Sequence, residues 1–148
     1  DQFHLTLVFL GEQEAQTAEA IDEELCKLDH PDFEVTLSGL DLFGGRRPHT
    51  LYTGVRDPEP LRSLRARLLA RLRGAGVAPD RRRFRPHVTL ARFPEPLRSG
   101  ERLRLERFLT ENAHFTAPPF AAGGVELVRS TLRRSGALHE PLARYPLG

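Results

Sequence analysis

Two short segments of this chain share residue types that could carry out chemistry. One reads HLTL from His4 and the other reads HVTL from His87, which lies 83 residues later. In an extended strand, residues two apart point to the same side, so each histidine projects together with the following Thr6 or Thr89. The other residues of both segments are aliphatic, which is typical of a strand that buries one face.

These side chains form a set suited to acid–base catalysis on a phosphodiester. An unperturbed histidine has a pKa of about 6.5, so one protonated and one neutral imidazole can act together as acid and base. Opening a cyclic phosphodiester also requires donors for the remaining phosphate oxygens, and hydroxyls and guanidinium groups supply them. We therefore predict that His4 and His87 are catalytic, provided that the two strands are neighbours. The predicted substrate-binding residues are Thr6, Thr89 and Arg92.

Other catalytic chemistries find little support in the sequence. Each segment offers one good metal ligand, and the chain contains no HxH, HExxH or CxxC pattern, so we predict no metal and no cofactor. A GxSxG nucleophile elbow is also absent from the sequence. The only cysteine, Cys26, lies in an apolar helical stretch, and we predict that it belongs to the core. A chain with one cysteine forms no internal disulfide, which fits a cytoplasmic location.

Composition and charge indicate an ordinary globular domain. The chain has 148 residues, of which 39% are hydrophobic and 28% are charged, and its formal net charge is +2. No apolar run approaches the roughly 20 residues that span a membrane, so we predict no membrane segment. All basic residues except Lys27 are arginine, whose planar guanidinium suits phosphate recognition.

Hydrophobic periodicity predicts alternating strands and helices. The predicted strands cover residues 3–9, 33–37, 50–55, 84–92, 125–129 and 137–144. The predicted helices cover residues 13–29, a segment capped by Asp57 that ends at Gly74 or Gly76, and a segment capped by Ser99. Leu61, Leu64, Leu68 and Leu72 form the predicted buried stripe of the second helix. This order predicts an α+β fold with largely antiparallel pairing.

The two segments resemble a known pair of signature motifs. HLTLVFLG, from His4 to Gly11, and RPHVTLAR, from Arg85 to Arg92, are similar to the motifs of the two-histidine phosphoesterase superfamily. Within it, the resemblance is greatest to the RNA 2′,3′-cyclic phosphodiesterases, historically called 2′-5′ RNA ligases. It implies one bilobal domain over residues 1–148, with two pseudo-symmetric antiparallel sheets flanked by helices around a central cleft. Family members usually have a strand and a helix before the first motif, which this sequence lacks.

The resemblance also implies an activity and a role for each motif residue. The activity is hydrolysis of RNA 2′,3′-cyclic phosphate ends to 2′-phosphates. We predict that this reaction needs no metal and that the protein is a monomer. His4 matches the proton donor to the leaving 3′ oxygen, and His87 matches the acceptor that activates water. Thr6, Thr89 and Arg92 match the positions that hold the phosphate. Because the two motifs are symmetric, spacing alone does not decide which histidine is the acid.

Several alternatives remain open at this point. The same site could act on 2′-5′-linked oligonucleotides or another small cyclic phosphate, or the protein could bind RNA ends without catalysis. Two titratable groups argue against binding alone, since binding does not need them. Phe9 could stack on a nucleobase, but its spacing from His4 places it on the core face, and we predict a core role. The arginines at positions 81–83 fit either an RNA-guiding cluster or a solvated turn.

Overall fold

The computed structural model describes residues 3–78 and 80–148, and over these residues the chain forms three helices and six strands. In chain order, the elements are α1 (Ala15–Leu25), β1 (Phe33–Phe43), β2 (Thr50–Arg56), α2 (Glu59–Gly74), β3 (His87–Arg92), α3 (Ser99–Glu111), β4 (Phe120–Ala122), β5 (Gly124–Arg133) and β6 (Gly136–Pro146). The strand pairs formed by β1 with β2, β2 with β3, and β5 with β6 are all antiparallel. The fold is therefore α+β with antiparallel sheets, as predicted.

The chain divides into two compact units. Unit 1 comprises the described residues of Asp1–Leu7, Val35–Leu61 and Arg83–Phe120. Unit 2 comprises the described residues of Val8–Glu34, Arg62–Arg82 and Ala121–Gly148. Unit 1 contains both His-x-Thr motifs, while unit 2 contains α1, most of α2 and the β5–β6 hairpin.

Three strands of unit 1 lie side by side in the order β3-β2-β1. Strand β1 extends to Phe43, whereas periodicity predicts an end at Leu37. The difference arises at Gly39, where the register with β2 shifts by one residue and φ is +79°. Glycine adopts this conformation without a steric penalty, so the inserted residue forms a bulge and the strand continues.

The two motif strands are shorter than predicted. Within the first segment, only Leu5 forms a bridge, and the chain bends at Leu7. The prediction of a continuous strand over residues 3–9 is therefore wrong. The second motif strand begins at His87 rather than at Phe84. The residue before it, Pro86, has no backbone N–H to donate to a sheet.

Both predicted helix caps are misplaced by one residue. Helix α2 begins at Glu59, and Asp57, the predicted cap, lies two residues earlier with φ +52°. Helix α3 begins at Ser99, so the cap position falls on Arg98 instead. The Arg98 backbone N–H donates to the Glu101 carboxylate at 3.0 Å, and this contact supplies the first turn with an acceptor.

Burial in α1 and α2 follows the apolar periodicity of their sequences, whereas α3 has no buried residue. The four leucines of α2 are all buried, as predicted: Leu61, Leu64, Leu68 and Leu72. In α1, Ile21 and Leu25 are buried. Cys26 lies at the C-terminal cap of α1 and is exposed, so the prediction that it belongs to the core is wrong. The helix ends before Cys26 could continue the buried stripe.

A tyrosine of the last strand ties unit 2 together. The Tyr145 hydroxyl donates to the Asp22 carboxylate of α1 at 2.6 Å, and the tyrosine is buried. Burial raises the pKa of Tyr145, and the hydrogen bond to Asp22 and its negative charge raise it further. The phenol therefore stays protonated and remains a donor at neutral pH.

We expect Tyr145→Phe to lower the free energy of unfolding by about 2 kcal/mol, because it removes one hydrogen bond to a charged acceptor and keeps the buried ring. Tyr145→Leu also loses packing, so it should cost more. Urea unfolding of both variants measures the two effects. Unchanged stability in Tyr145→Phe would show that the hydroxyl contact contributes nothing.

Candidate active site

The second motif lies on the β3 strand, which pairs with β2. Val88 is buried, so it faces the core of unit 1, and the alternation of the strand turns His87 and Thr89 to the other face. On that face, His87 lies opposite Gly54 of β2 and Thr89 lies opposite Tyr52. The strand therefore presents the histidine and the threonine side by side, as the spacing predicts.

The first motif lies against the second. Leu5 forms an antiparallel bridge with Val88, and both residues belong to unit 1. In this register, His4 lies beside Thr89 and Thr6 lies beside His87, on the face opposite to the two aliphatic residues. His4 is exposed and Thr6 is half-buried. Tertiary structure thus brings together two segments that are 83 residues apart in the sequence.

Arg92 reaches the same face only because of a bulge. It lies five residues after His87, and in a regular strand an odd separation would point the two side chains to opposite faces. The register between β2 and β3 shifts between Leu51 and Tyr52, which leaves Leu90 as the extra residue. Arg92 then pairs with Thr50, two residues from Tyr52 on β2. The inserted residue therefore returns the exposed Arg92 to the side of His87.

The His87 imidazole has a defined orientation. Its Nδ1 lies 2.7 Å from the Arg85 carbonyl oxygen. A carbonyl can only accept, so Nδ1 carries the proton and donates it, and Nε2 is the nitrogen left for chemistry. Pro86 lies between Arg85 and His87, and its ring restricts φ in the backbone that joins the imidazole to the accepting carbonyl.

Two aromatic side chains contact the His87 ring. The ring centroid of Phe43 lies 5.0 Å from that of His87, and the centroid of Tyr52 lies 5.4 Å from it, both in edge-on geometry. Phe43 and Tyr52 also stack on each other with centroids 4.0 Å apart. No local pattern in the sequence indicates either residue, because only the strand pairing shows that they lie near the second motif.

Two charged groups of unit 1 affect the pKa of Tyr52. Burial raises the pKa of Tyr52, and the negative charge of Asp41 together with its hydrogen bonding to the phenol raises it further, against the opposing charge of Arg85. Asp41 lies directly opposite Tyr52 in the pairing of β1 with β2. The phenol is therefore protonated at neutral pH and is not available as a base.

Phe9, the candidate nucleobase-stacking residue, lies in unit 2 and is 53% exposed. The prediction that it belongs to the core is wrong, since the bend at Leu7 breaks the alternation counted from His4. The Arg82 guanidinium lies over the Phe9 ring at 4.3 Å from its centroid. This cation–π contact gives one arginine of the basic cluster a partner within its own unit.

Among residues 3–78 and 80–148, no group of three or more His, Cys, Asp or Glu side chains is arranged to hold a metal ion. In the same part of the chain, none of the helices has the length and apolar character needed to cross a membrane.

Known proteins are similar to this chain in sequence and in fold. Residues 1–134 match the 2′-5′ RNA ligase superfamily, and the chain belongs to that superfamily. The match covers both His-x-Thr segments and extends through β5. The predicted membership in this family is thereby confirmed.

Individual relatives cover nearly the whole chain. The RNA 2′,3′-cyclic phosphodiesterase of Aeropyrum pernix is 30% identical over 145 residues, which cover 96% of this chain and 80% of that protein. The protein of the same name from Thermotoga maritima is 28% identical over 145 residues, with 96% and 74% covered. The crystal structure of Escherichia coli LigT complexed with 3′-AMP superposes with a TM-score of 0.72 and 26% identity, covering 99% of this chain and 77% of LigT.

Proposed function

We propose that this chain is an RNA 2′,3′-cyclic phosphodiesterase that hydrolyses cyclic phosphate ends to 2′-phosphates without a metal ion. The observation that carries the proposal is the bridge between Leu5 and Val88, which sets the two His-x-Thr segments side by side. The names of the relatives from Aeropyrum pernix and Thermotoga maritima support the substrate class. Both motifs lie within one unit of one chain, so a monomer suffices for the site.

In the proposed reaction, each motif contributes one proton-transfer step. His87 Nε2 accepts a proton from the water that attacks phosphorus, and a P–O bond forms. The bond from phosphorus to the 3′ oxygen breaks, and His4 donates a proton to that oxygen, which leaves the phosphate on the 2′ oxygen. The assignment of His87 as the base is supported by its Nδ1–H, which donates to the Arg85 carbonyl and leaves a lone pair on Nε2 in the neutral ring.

The remaining motif residues stabilise the charge on phosphate. Thr6 and Thr89 donate hydroxyl hydrogen bonds to the non-bridging oxygens. Arg92 adds a charge-assisted contact from the same face of β3. Preorganised donors of this kind reduce the cost of the charge that develops in the transition state.

The proposal is tested with an oligoribonucleotide that ends in a 2′,3′-cyclic phosphate, incubated with the protein in excess EDTA. We expect full turnover and a 2′-phosphate product, identified by chromatography against 2′- and 3′-phosphate standards. Loss of activity in EDTA would contradict metal independence. Faster cleavage of a 2′-5′-linked oligonucleotide would favour the alternative substrate, and tight, salt-sensitive binding without turnover would favour an RNA-end binder.

A further inference from the structure

Strand β2 leaves space beside the His87 imidazole, in which this ring can approach a neighbouring aromatic ring. Gly54 lies directly opposite His87 and offers no side chain there. The imidazole can therefore lean along the strand toward Tyr52, which lies two residues from Gly54 on the same face. The observed centroid distance of 5.4 Å between Tyr52 and His87 reflects this placement.

Phe43 supports the same arrangement from β1. It stacks on Tyr52 at 4.0 Å and meets the imidazole edge-on at 5.0 Å, so the three rings contact one another pairwise. Edge-on contacts such as those of the imidazole are favourable, because they match the positive edge of one ring to the negative face of another. The three rings therefore form a mutually supporting cluster.

The chemistry of the two aromatic side chains limits what they can do. Phe43 has no group that transfers a proton, and the protonated phenol of Tyr52 is hydrogen-bonded toward Asp41. Their shared property is the ring that contacts the imidazole. Their contribution to the reaction is therefore geometric.

We propose that Tyr52 and Phe43 are positioning residues that hold the His87 imidazole so that Nε2 stays directed at the substrate. The hydrogen bond from Nδ1 to the Arg85 carbonyl anchors one side of the ring, and the aromatic pair restricts its rotation. This inference rests on the proposed function, in which His87 acts as the base. A misplacement of about 1 Å in a catalytic group can cost on the order of 100-fold in rate.

The test compares ring removal with hydroxyl removal at one position. We expect Tyr52→Leu to lower kcat by about 10- to 100-fold with KM changed by less than about twofold. Tyr52→Phe keeps the ring, so it should retain kcat within about threefold of the unchanged protein. Phe43→Leu should resemble Tyr52→Leu. All kinetic assays are run well below each variant's thermal midpoint.

Thr53→Val serves as the matched control on the same strand. Thr53 lies next to Tyr52 and opposite Val88, on the other face of the sheet. Its hydroxyl is buried and has no hydrogen-bond partner among the described residues, so replacing it with a methyl group removes no hydrogen bond. We expect its kcat to be unchanged.

The orientation of the His87 ring is also measured by NMR, without enzyme turnover. The NMR shifts of the His87 ring protons should move in Tyr52→Leu, which removes a neighbouring ring current, and stay close to their original values in Tyr52→Phe. Unchanged kcat in Tyr52→Leu, alongside an inactive His87→Ala, would overturn this inference alone. Full activity in His87→Ala would instead overturn the proposed function. A loss of kcat in Tyr52→Phe equal to that in Tyr52→Leu would also overturn the inference, because the hydroxyl and not the ring would then matter.

Discussion

Replacing His87 with alanine is expected to lower kcat on a cyclic phosphate end by about 100- to 10,000-fold, the usual contribution of a positioned general base or acid. This corresponds to about 3–5 kcal/mol of transition-state stabilisation. His4→Ala is expected to have a loss of similar size, because the leaving oxygen then departs without a proton. Steady-state assays of both variants measure these losses.

Two further variants sharpen this prediction. The double variant of His4 and His87 should lose little more than either single variant, because groups that act in one concerted step are not additive. His114→Ala is the matched control, since it removes an exposed histidine of the same unit that lies outside both motifs. Near-normal activity in either motif variant would exclude the proposed acid–base pair.

The second large effect is expected at Asp80, whose carboxylate joins two segments of unit 2. Its side chain is only 6% exposed. Oδ2 accepts the backbone N–H of Phe9 at 3.1 Å, and Oδ1 accepts the backbone N–H of Arg82 at 3.0 Å. Phe9 lies five residues after His4, and Arg82 lies five residues before His87. One carboxylate therefore fixes the chain shortly after the first motif histidine and shortly before the second.

We expect Asp80→Ala to lower the free energy of unfolding by about 3 kcal/mol, because two backbone donors and the Arg65 guanidinium lose a largely buried acceptor. Asp80→Asn should lose less, since its amide oxygen can still accept from one of the two N–H groups. Urea unfolding at neutral pH measures both changes. A loss below about 0.5 kcal/mol in Asp80→Ala would contradict this account.

The contribution of Asp80 should depend on pH with a defined sign. Burial alone would raise the pKa of Asp80, but the N–H donors of Arg82 and Phe9, with the charges of Arg82 and Arg65, outweigh it and lower the pKa. Because the folded chain binds this proton less tightly than the unfolded chain, the stabilisation is present above about pH 4. It is lost as the pH falls through the lowered folded-state pKa.

An exposed carboxylate provides the comparison. Arg129 donates to Glu140 at 2.8 Å and lowers the pKa of Glu140, but this pair lies in solvent. Solvent and salt screen such pairs, so Glu140→Gln should change stability much less than Asp80→Asn. Between pH 3 and pH 7, the free energy of unfolding of Asp80→Asn should therefore approach that of the parent as the pH falls. Glu140→Gln should stay close to the parent over the whole range. A similar pH dependence in both would contradict the role of burial.

Local periodicity was enough to predict the architecture and the motif faces. The leucine stripe of α2, and the placement of His87 beside Thr89 over Val88, follow from the repeats of 3.6 and 2 residues of helices and strands. These properties depend only on neighbours in the chain. The predictions failed where a single residue breaks the period, as at the bend after Thr6 and at the glycine bulge in β1.

By itself, the sequence determined the residue types of both motifs, their alternation and the α+β class. Tertiary structure decided that Leu5 meets Val88, that a bulge at Leu90 turns Arg92 to the face of His87, and that Tyr52 and Phe43 surround the imidazole. The physical reason is that side-chain direction within an element is set by local backbone geometry, whereas register and ring contacts depend on which distant segments pair. A one-residue shift in that pairing turns the side chains of a strand to the opposite face of the sheet, and no local sequence pattern specifies which pairing forms.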